Sequence, residues 1–257
     1  MSTITQTPEE PRLRTGARYT RTELKRVLRN RRFFFFTLGF PIVMFVFIAI
    51  PSRHVQNFGG TGVSAPVYYM ASLASFGTMM SMVSTGTRIA AERQIGWTRQ
   101  LRITPLSTPA YFTGKILSAY MMSGLTIICL YAAGVALGVR LPASTWLEMT
   151  GLIIIALAPF AAFGVTVGHL MNVDAIGPVT GGSVSLLALI SGTWFPINSG
   201  FLHDIGQFFP SYWLAQAGHL AANGKAWSML GWVVVLGWLV VMVGAAFWAY
   251  RRDTGRV

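Results

Sequence analysis

The chain has 257 residues, of which 53% are hydrophobic and only 11% charged, and it carries a formal net charge of +12. Soluble domains have roughly a quarter of their residues charged, so this composition excludes an ordinary water-soluble globule and leaves lipid as the solvent. The positive balance does not mark a nucleic-acid binder, because the basic residues flank apolar runs and no soluble domain is present to offer a groove.

In chain order, residues 1–16, with Pro8, Glu9, Glu10 and Pro11, read as a disordered cytoplasmic tail. Residues 17–32 are expected to form an amphipathic helix in the headgroup layer. Thr20 and Glu23 have the spacing of a capping box, and Leu24, Val27 and Leu28 share a face away from Lys25, Arg26 and Arg29. The same residues also fit a plain positive flank for the first span. Residues 33–257 hold six apolar runs, at 33–50, 67–87, 116–139, 149–171, 176–196 and 229–250. A bilayer core of about 30 Å needs roughly 20 such residues per helix, so the expected fold is an all-α integral membrane protein with six transmembrane helices. No small-residue cleavage site follows the first run, which is therefore expected to be retained. Pro41 and Pro159 should kink or locally unwind their helices. Gly134 with Gly138 and Gly177 with Gly181 have the small-residue spacing of close helix packing. Cys129, the single cysteine, sits within the third run as an apolar filler.

Orientation follows from the basic residues, which tend to stay on the cytoplasmic side of spans. Of the twenty Lys and Arg, all but Arg53, Arg140 and Lys225 precede the first run, lie around the connection after the second, or follow the last. Both termini and the segment 92–115 are therefore expected to be cytoplasmic, in a multi-pass membrane protein.

That segment, ERQIGWTRQLRITPLSTPAYFTGK, is the polar exception between two apolar runs. Trp97 and Leu101 share a helical face at i,i+4, and Arg99 and Arg102 fall at i,i+3. Together they read as a surface that fills an apolar cleft and pairs with carboxylates, with Pro105 ending the helix. Elsewhere the chain is chemically sparse. No ionisable residue lies near a span midplane, as proton-coupled carriers require; Arg88, Glu92, His169 and Asp174 fall near span ends. No phosphate-binding G-x-x-x-x-G-K-[ST] loop is present, and His54, His169, His203 and His219 are too scattered for a metal or catalytic group. Catalytic residues, bound cofactors and metals are thus not expected.

The segment resembles the cytoplasmic connection of permeases in the ABC-2 family, the membrane halves of many bacterial ATP-driven exporters. Glu92, Gly96 with Trp97, Leu101, Pro105, and Gly114 with Lys115 match its pattern, Trp97 standing where threonine is commonest. A second match is SGTWFPINSGFLHDIGQFFPSYWLAQAGH, with Gly192, Phe195, Pro196 and Pro210 as the matching positions of the external re-entrant region, whose bounds are read as 197–228 and which the first three lead into. The resemblance implies a permease that moves a hydrophobic or amphipathic drug, antibiotic or lipid-like molecule out of the cytoplasm or inner leaflet. It would pair with a second copy or a homologous permease and with two ATPase subunits, which carry the ATP and Mg. The implied docking device is 92–105, with Glu92, Arg93, Gly96, Trp97, Arg99, Leu101, Arg102 and Pro105 as contacts; Asn172 and Asp174 offer a smaller second contact. Met79, Met80, Met82, Ser84, Thr180 and Ser183 are candidates for the substrate pathway. An ion-coupled carrier or channel that needs no ATPase is the alternative.

Overall fold

A computed structural model describes residues 9–97, 104 and 106–254, and no strand occurs among them. The helices are α1 (Glu9–Arg29), α2 (Arg31–Phe34), α3 (Phe40–Ala49), α4 (Ala65–Val83), α5 (Thr85–Gln94), α6 (Thr108–Ala136), α7 (Ala143–Ala156), α8 (Ala158–Leu170), α9 (Val173–Ile190), α10 (Phe201–Gly206), α11 (Pro210–Ala222) and α12 (Met229–Thr254). Among the described residues four stretches are long and apolar enough to cross a membrane: Thr108–Ala136, Ala143–Leu170, Val173–Ile190 and Met229–Asp253. They correspond to the third to sixth expected runs.

The first two expected runs take other forms. The first is broken into α2, a π-helical turn at Phe35–Gly39, and α3, with Pro41 in the first turn of α3. Proline has no N–H to donate and crowds the carbonyl four residues back, so a widened turn ahead of it relieves the clash. Pro159 acts alike: it opens α8 just after Leu157 separates α7 from α8. The second run becomes α4, whose 19 residues span about 28 Å.

α4 is the centre of the bundle. Every residue of it except Met80 is buried, and it packs against α3, α6, α8, α9 and α11. Its hydroxyls are satisfied inside protein: Ser75 donates to Ala71 O and Leu214 O, Thr78 to Ala74 O, and Ser81 to Ala119 O. A helix enclosed by protein can carry serine and threonine that a lipid-facing helix could not carry so cheaply.

Glycines set the closest approach. A Cβ on Gly86 would lie 2.4 Å from Gly164 O, and one on Gly168 would lie 2.8 Å from Gly86 O, so α5 crosses α8 almost backbone to backbone. On α6 a Gly134 Cβ would meet Met70 Sδ of α4, whereas Gly177 and Gly181 on α9 face nothing within 4 Å.

The N-terminal helix departs from expectation in two ways. It begins at Glu9, inside the segment expected as tail. Thr20 and Glu23 therefore lie in mid-helix and form no capping box; Glu23 is instead buried against α6.

Candidate coupling site

The stretch 92–115 starts in the last turn of α5 and ends within α6, and both of its ends are gripped by one ion cluster. α1 packs along α6 because Gly114 has no side chain: a Cβ there would lie 2.8 Å from the Tyr19 ring. That approach brings Glu23 of α1 beside Lys115. Lys115 Nζ donates to Glu23 Oε1 at 2.7 Å and to Glu92 Oε1 at 2.5 Å. The Lys115 and Glu23 side chains are each 1% exposed and that of Glu92 is 8% exposed. Burying such charges costs several kcal/mol per ion before pairing, so the arrangement holds only while each keeps its partners.

The partners are numerous. Tyr111 Oη donates to Glu92 Oε2 at 2.7 Å, Arg26 Nη1 reaches Glu92 Oε1 at 3.1 Å, and Arg88 Nη1 stands 3.5 Å from Glu23 Oε1. Arg88 also donates to Ser118 Oγ at 3.1 Å and to Thr85 Oγ1 at 3.0 Å, tying α5 to α6. The Tyr19 hydroxyl is buried nearby with no partner among the described residues; burial first, then the charges of Glu92 and Glu23, push its pKa up, so it stays protonated. Nothing in this group is placed for nucleophilic or acid–base chemistry. It is a rigid joint between three helices.

A second cluster lies at the same end. Arg93 Nη2 meets Asp253 Oδ1 at 2.6 Å, and Arg93 Nη1 donates to the carbonyls of Gly168 and Met171 at 3.0 and 3.2 Å. His169 Nδ1 stands 3.0 Å from Asp253 Oδ2. The C-terminal end of α12, the α8–α9 turn, the end of α5 and α1 therefore converge on one end of the bundle, so both ends of the described chain share a side.

Of the residues picked from sequence, Glu92 and Arg93 thus face inward. Gly96 ends α5 with φ +71 and nothing within 4 Å of a would-be Cβ, a left-handed residue in the position where glycine stops helices. Trp97 lies 5.8 Å from the Arg26 guanidinium, and its buried Nε1 has no partner among the described residues. Arg99, Leu101, Arg102 and Pro105 lie outside the described residues. Asn172 caps α9 by accepting from Ala175 N at 2.9 Å, and Asp174 occupies the first turn, where a negative charge suits the helix dipole. Met79 and Met82 are sealed in the core and Met80 is partly buried, while Ser84 and Thr180 bond within their own helices.

The opposite end is joined by aromatic rings and neutral hydrogen bonds instead of ion pairs. Tyr68 stacks on His219 with ring centroids 4.1 Å apart and donates to Gly192 O. Tyr69 reaches Trp194 O at 3.4 Å, and Asn198 bonds Gly59 O at 2.5 Å. Pro196 packs so tightly on Gly59 that a Cβ there would come within 2.5 Å of it. Phe195 is half exposed, and Pro210 opens α11, which is buried against α4 and α7.

Sequence reasoning missed Glu23, Arg88, Tyr111 and Asp253 as members of these clusters. For Glu23 and Asp253 the rarity of acids, eight in the whole chain, was a usable signal; Arg88 and Tyr111 carried none. The Gly114–Lys115 pair carried more information: the glycine admits α1, and the lysine bridges two carboxylates.

The family model described as ABC-2 family transporter protein matches residues 48–250. The chain belongs to the ABC-2 transporter family. YvfS of Bacillus subtilis (strain 168), a protein provisionally named a transport permease, is 31% identical over 196 residues, covering 74% of this chain and 78% of its own. This ABC-2 chain is accordingly a multi-pass membrane permease, and permeases of its family generally partner with ATPase subunits. The match takes in Glu92 and Lys115; Glu23 and Arg26 of α1 precede it.

Proposed function

We propose that this permease is the membrane-spanning half of an ATP-driven exporter of hydrophobic or amphipathic molecules, with two ATPase subunits docked on 92–105. The observation that carries the reading is the Lys115 cluster, which joins the departure and return of that segment to α1. A push on the segment is then handed to α5, α6 and α1 together instead of being lost in a loose connection. Six spans, cytoplasmic termini and a bacterial inner membrane complete the proposal, supported by the basic end flanks and by the shared side of both chain ends. The unopposed face of Gly177 and Gly181 on α9 is a fit for a second permease copy.

A groove of about 320 Å³ supports an apolar substrate. It runs between α8, α9 and α12, and Pro159, Phe163, Ser183, Phe209 and Trp238 are among its lining. An ion-coupled carrier finds less support: the buried carboxylates sit at the end of the bundle and are already neutralised by Lys115 and Arg88.

Replacing Trp97, Arg99 and Leu101 together is expected to abolish copurification of the ATPase and permease-stimulated ATP hydrolysis. Unchanged assembly and unchanged turnover would sink the assignment. The triple variant Glu23→Gln, Glu92→Gln, Lys115→Met, which replaces the three ions by uncharged side chains, should still bind the ATPase but uncouple hydrolysis from transport, which separates docking from transmission.

A further inference from the structure

Beside the Lys115 cluster lies a cavity of about 300 Å³ whose wall is formed by Arg93, His169, Leu170, Trp248, Arg252 and Asp253, among others. It sits where the apolar stretches Ala143–Leu170 and Met229–Asp253 both end. One side is polar and built: the His169 side chain is 2% exposed, bonded through Nδ1 to Asp253, and its Nε2 is buried with no partner among the described residues. The other side opens toward lipid, since Leu170 is 39% and Trp248 53% exposed.

We propose that this cavity seats the headgroup of a phospholipid that carries an anionic phosphate and a headgroup hydroxyl, of the phosphatidylglycerol kind. Arg93 and Arg252 against Asp253 leave one positive charge, and Arg93 is already occupied by Asp253 and two carbonyls. Arg252 has no ion pair among the described residues; its guanidinium lies 5.3 Å from the Trp248 ring. It is therefore the group that takes the phosphate, by charge-assisted hydrogen bonds. His169 sets the headgroup. The Asp253 carboxylate accepts from Nδ1–H, so in the neutral ring Nε2 carries a lone pair and accepts a hydrogen bond. A headgroup hydroxyl supplies that donor; a choline headgroup has no N–H or O–H to give, and an ethanolamine ammonium has N–H donors but adds a positive charge to a cavity that already carries one. The acyl chains run past Trp248, an aromatic side chain of the kind that settles at the bilayer interface, along the exposed face of α12 that includes Val240 and Val241.

The test is native mass spectrometry on the full-length permease in detergent, titrated with phosphatidylglycerol, phosphatidylethanolamine or phosphatidylcholine of equal chain length, and with free glycerol phosphate as the soluble anion. Phosphatidylglycerol should be retained at higher collision energy than the other two lipids. Arg252→Gln, an exposed position whose change leaves the fold intact, should weaken its retention about tenfold, while Arg140→Gln, distant in the chain and on the opposite charge flank, should change nothing. Equal retention of phosphatidylcholine or phosphatidylethanolamine, an unaltered Arg252→Gln variant, or competition by glycerol phosphate at the same concentration as the lipid would each overturn the proposal. His169→Phe keeps the ring shape but removes Nε2; it should erase the preference for phosphatidylglycerol over phosphatidylcholine, and a preserved preference would count against the headgroup assignment.

Discussion

The two ends of this permease are fastened by different physics. At one end Lys115 is shared by Glu23 and Glu92 with almost no exposure, and Arg93, Asp253 and His169 tie three further segments together. At the other, Tyr68 and His219 stack, and neutral hydrogen bonds hold the 192–198 loop against the turn around Gly59. Ionic joints are directional and fail abruptly when one partner leaves, because the remaining charge is stranded in a low dielectric. Aromatic and amide contacts degrade gradually. On the proposed reading, the end that passes on a displacement benefits from the first kind, and the end that closes the bundle needs only the second.

Breaking the comparison starts at the charged end. Lys115→Met leaves Glu23 and Glu92 buried against each other and should cost about 3–5 kcal/mol, seen as a large drop in the thermal midpoint of the purified permease; adding Glu23→Gln and Glu92→Gln should recover much of it. A small effect of the single change would mean that the cluster is hydrated and not a rigid joint. The α5–α8 crossing comes next. Gly86→Val must push apart two backbones now in contact, at about 1–3 kcal/mol, and it should also loosen Arg93 from Gly168 O, which disulfide trapping between cysteines placed on α5 and α8 would register. The smallest effect belongs to the aromatic end: Tyr68→Phe removes the hydroxyl bond to Gly192 O while keeping the ring stacked on His219, for about 1 kcal/mol. If Tyr68→Phe proved as damaging as Lys115→Met, the contrast between the ends would collapse.

Several of these features were legible beforehand, each for a local reason. Pro41 and Pro159 announced helix breaks because proline's missing donor acts wherever it sits. The polar stretch 92–115 stood out because lipid tolerates no such run. The Thr20–Glu23 spacing misled, since a cap and a buried salt-bridge partner use the same residue types, and only the neighbouring helix decides between them. Gly164 and Gly168 show the spacing of close packing as plainly as Gly177 and Gly181 do, yet the first pair is pressed on Gly86 and the second faces nothing in the chain.

What the amino-acid order determined by itself was the solvent, the helical content and the polar break between the second and third apolar runs, because hydropathy, proline chemistry and charge act residue by residue. Only the tertiary structure decided that Glu92 turns inward to Lys115, that α4 is the enclosed centre of the bundle, and that Arg93 meets Asp253 from 160 positions away. Pairing between distant charges depends on which helices touch, and that is set here by glycines whose significance appears only once two backbones meet.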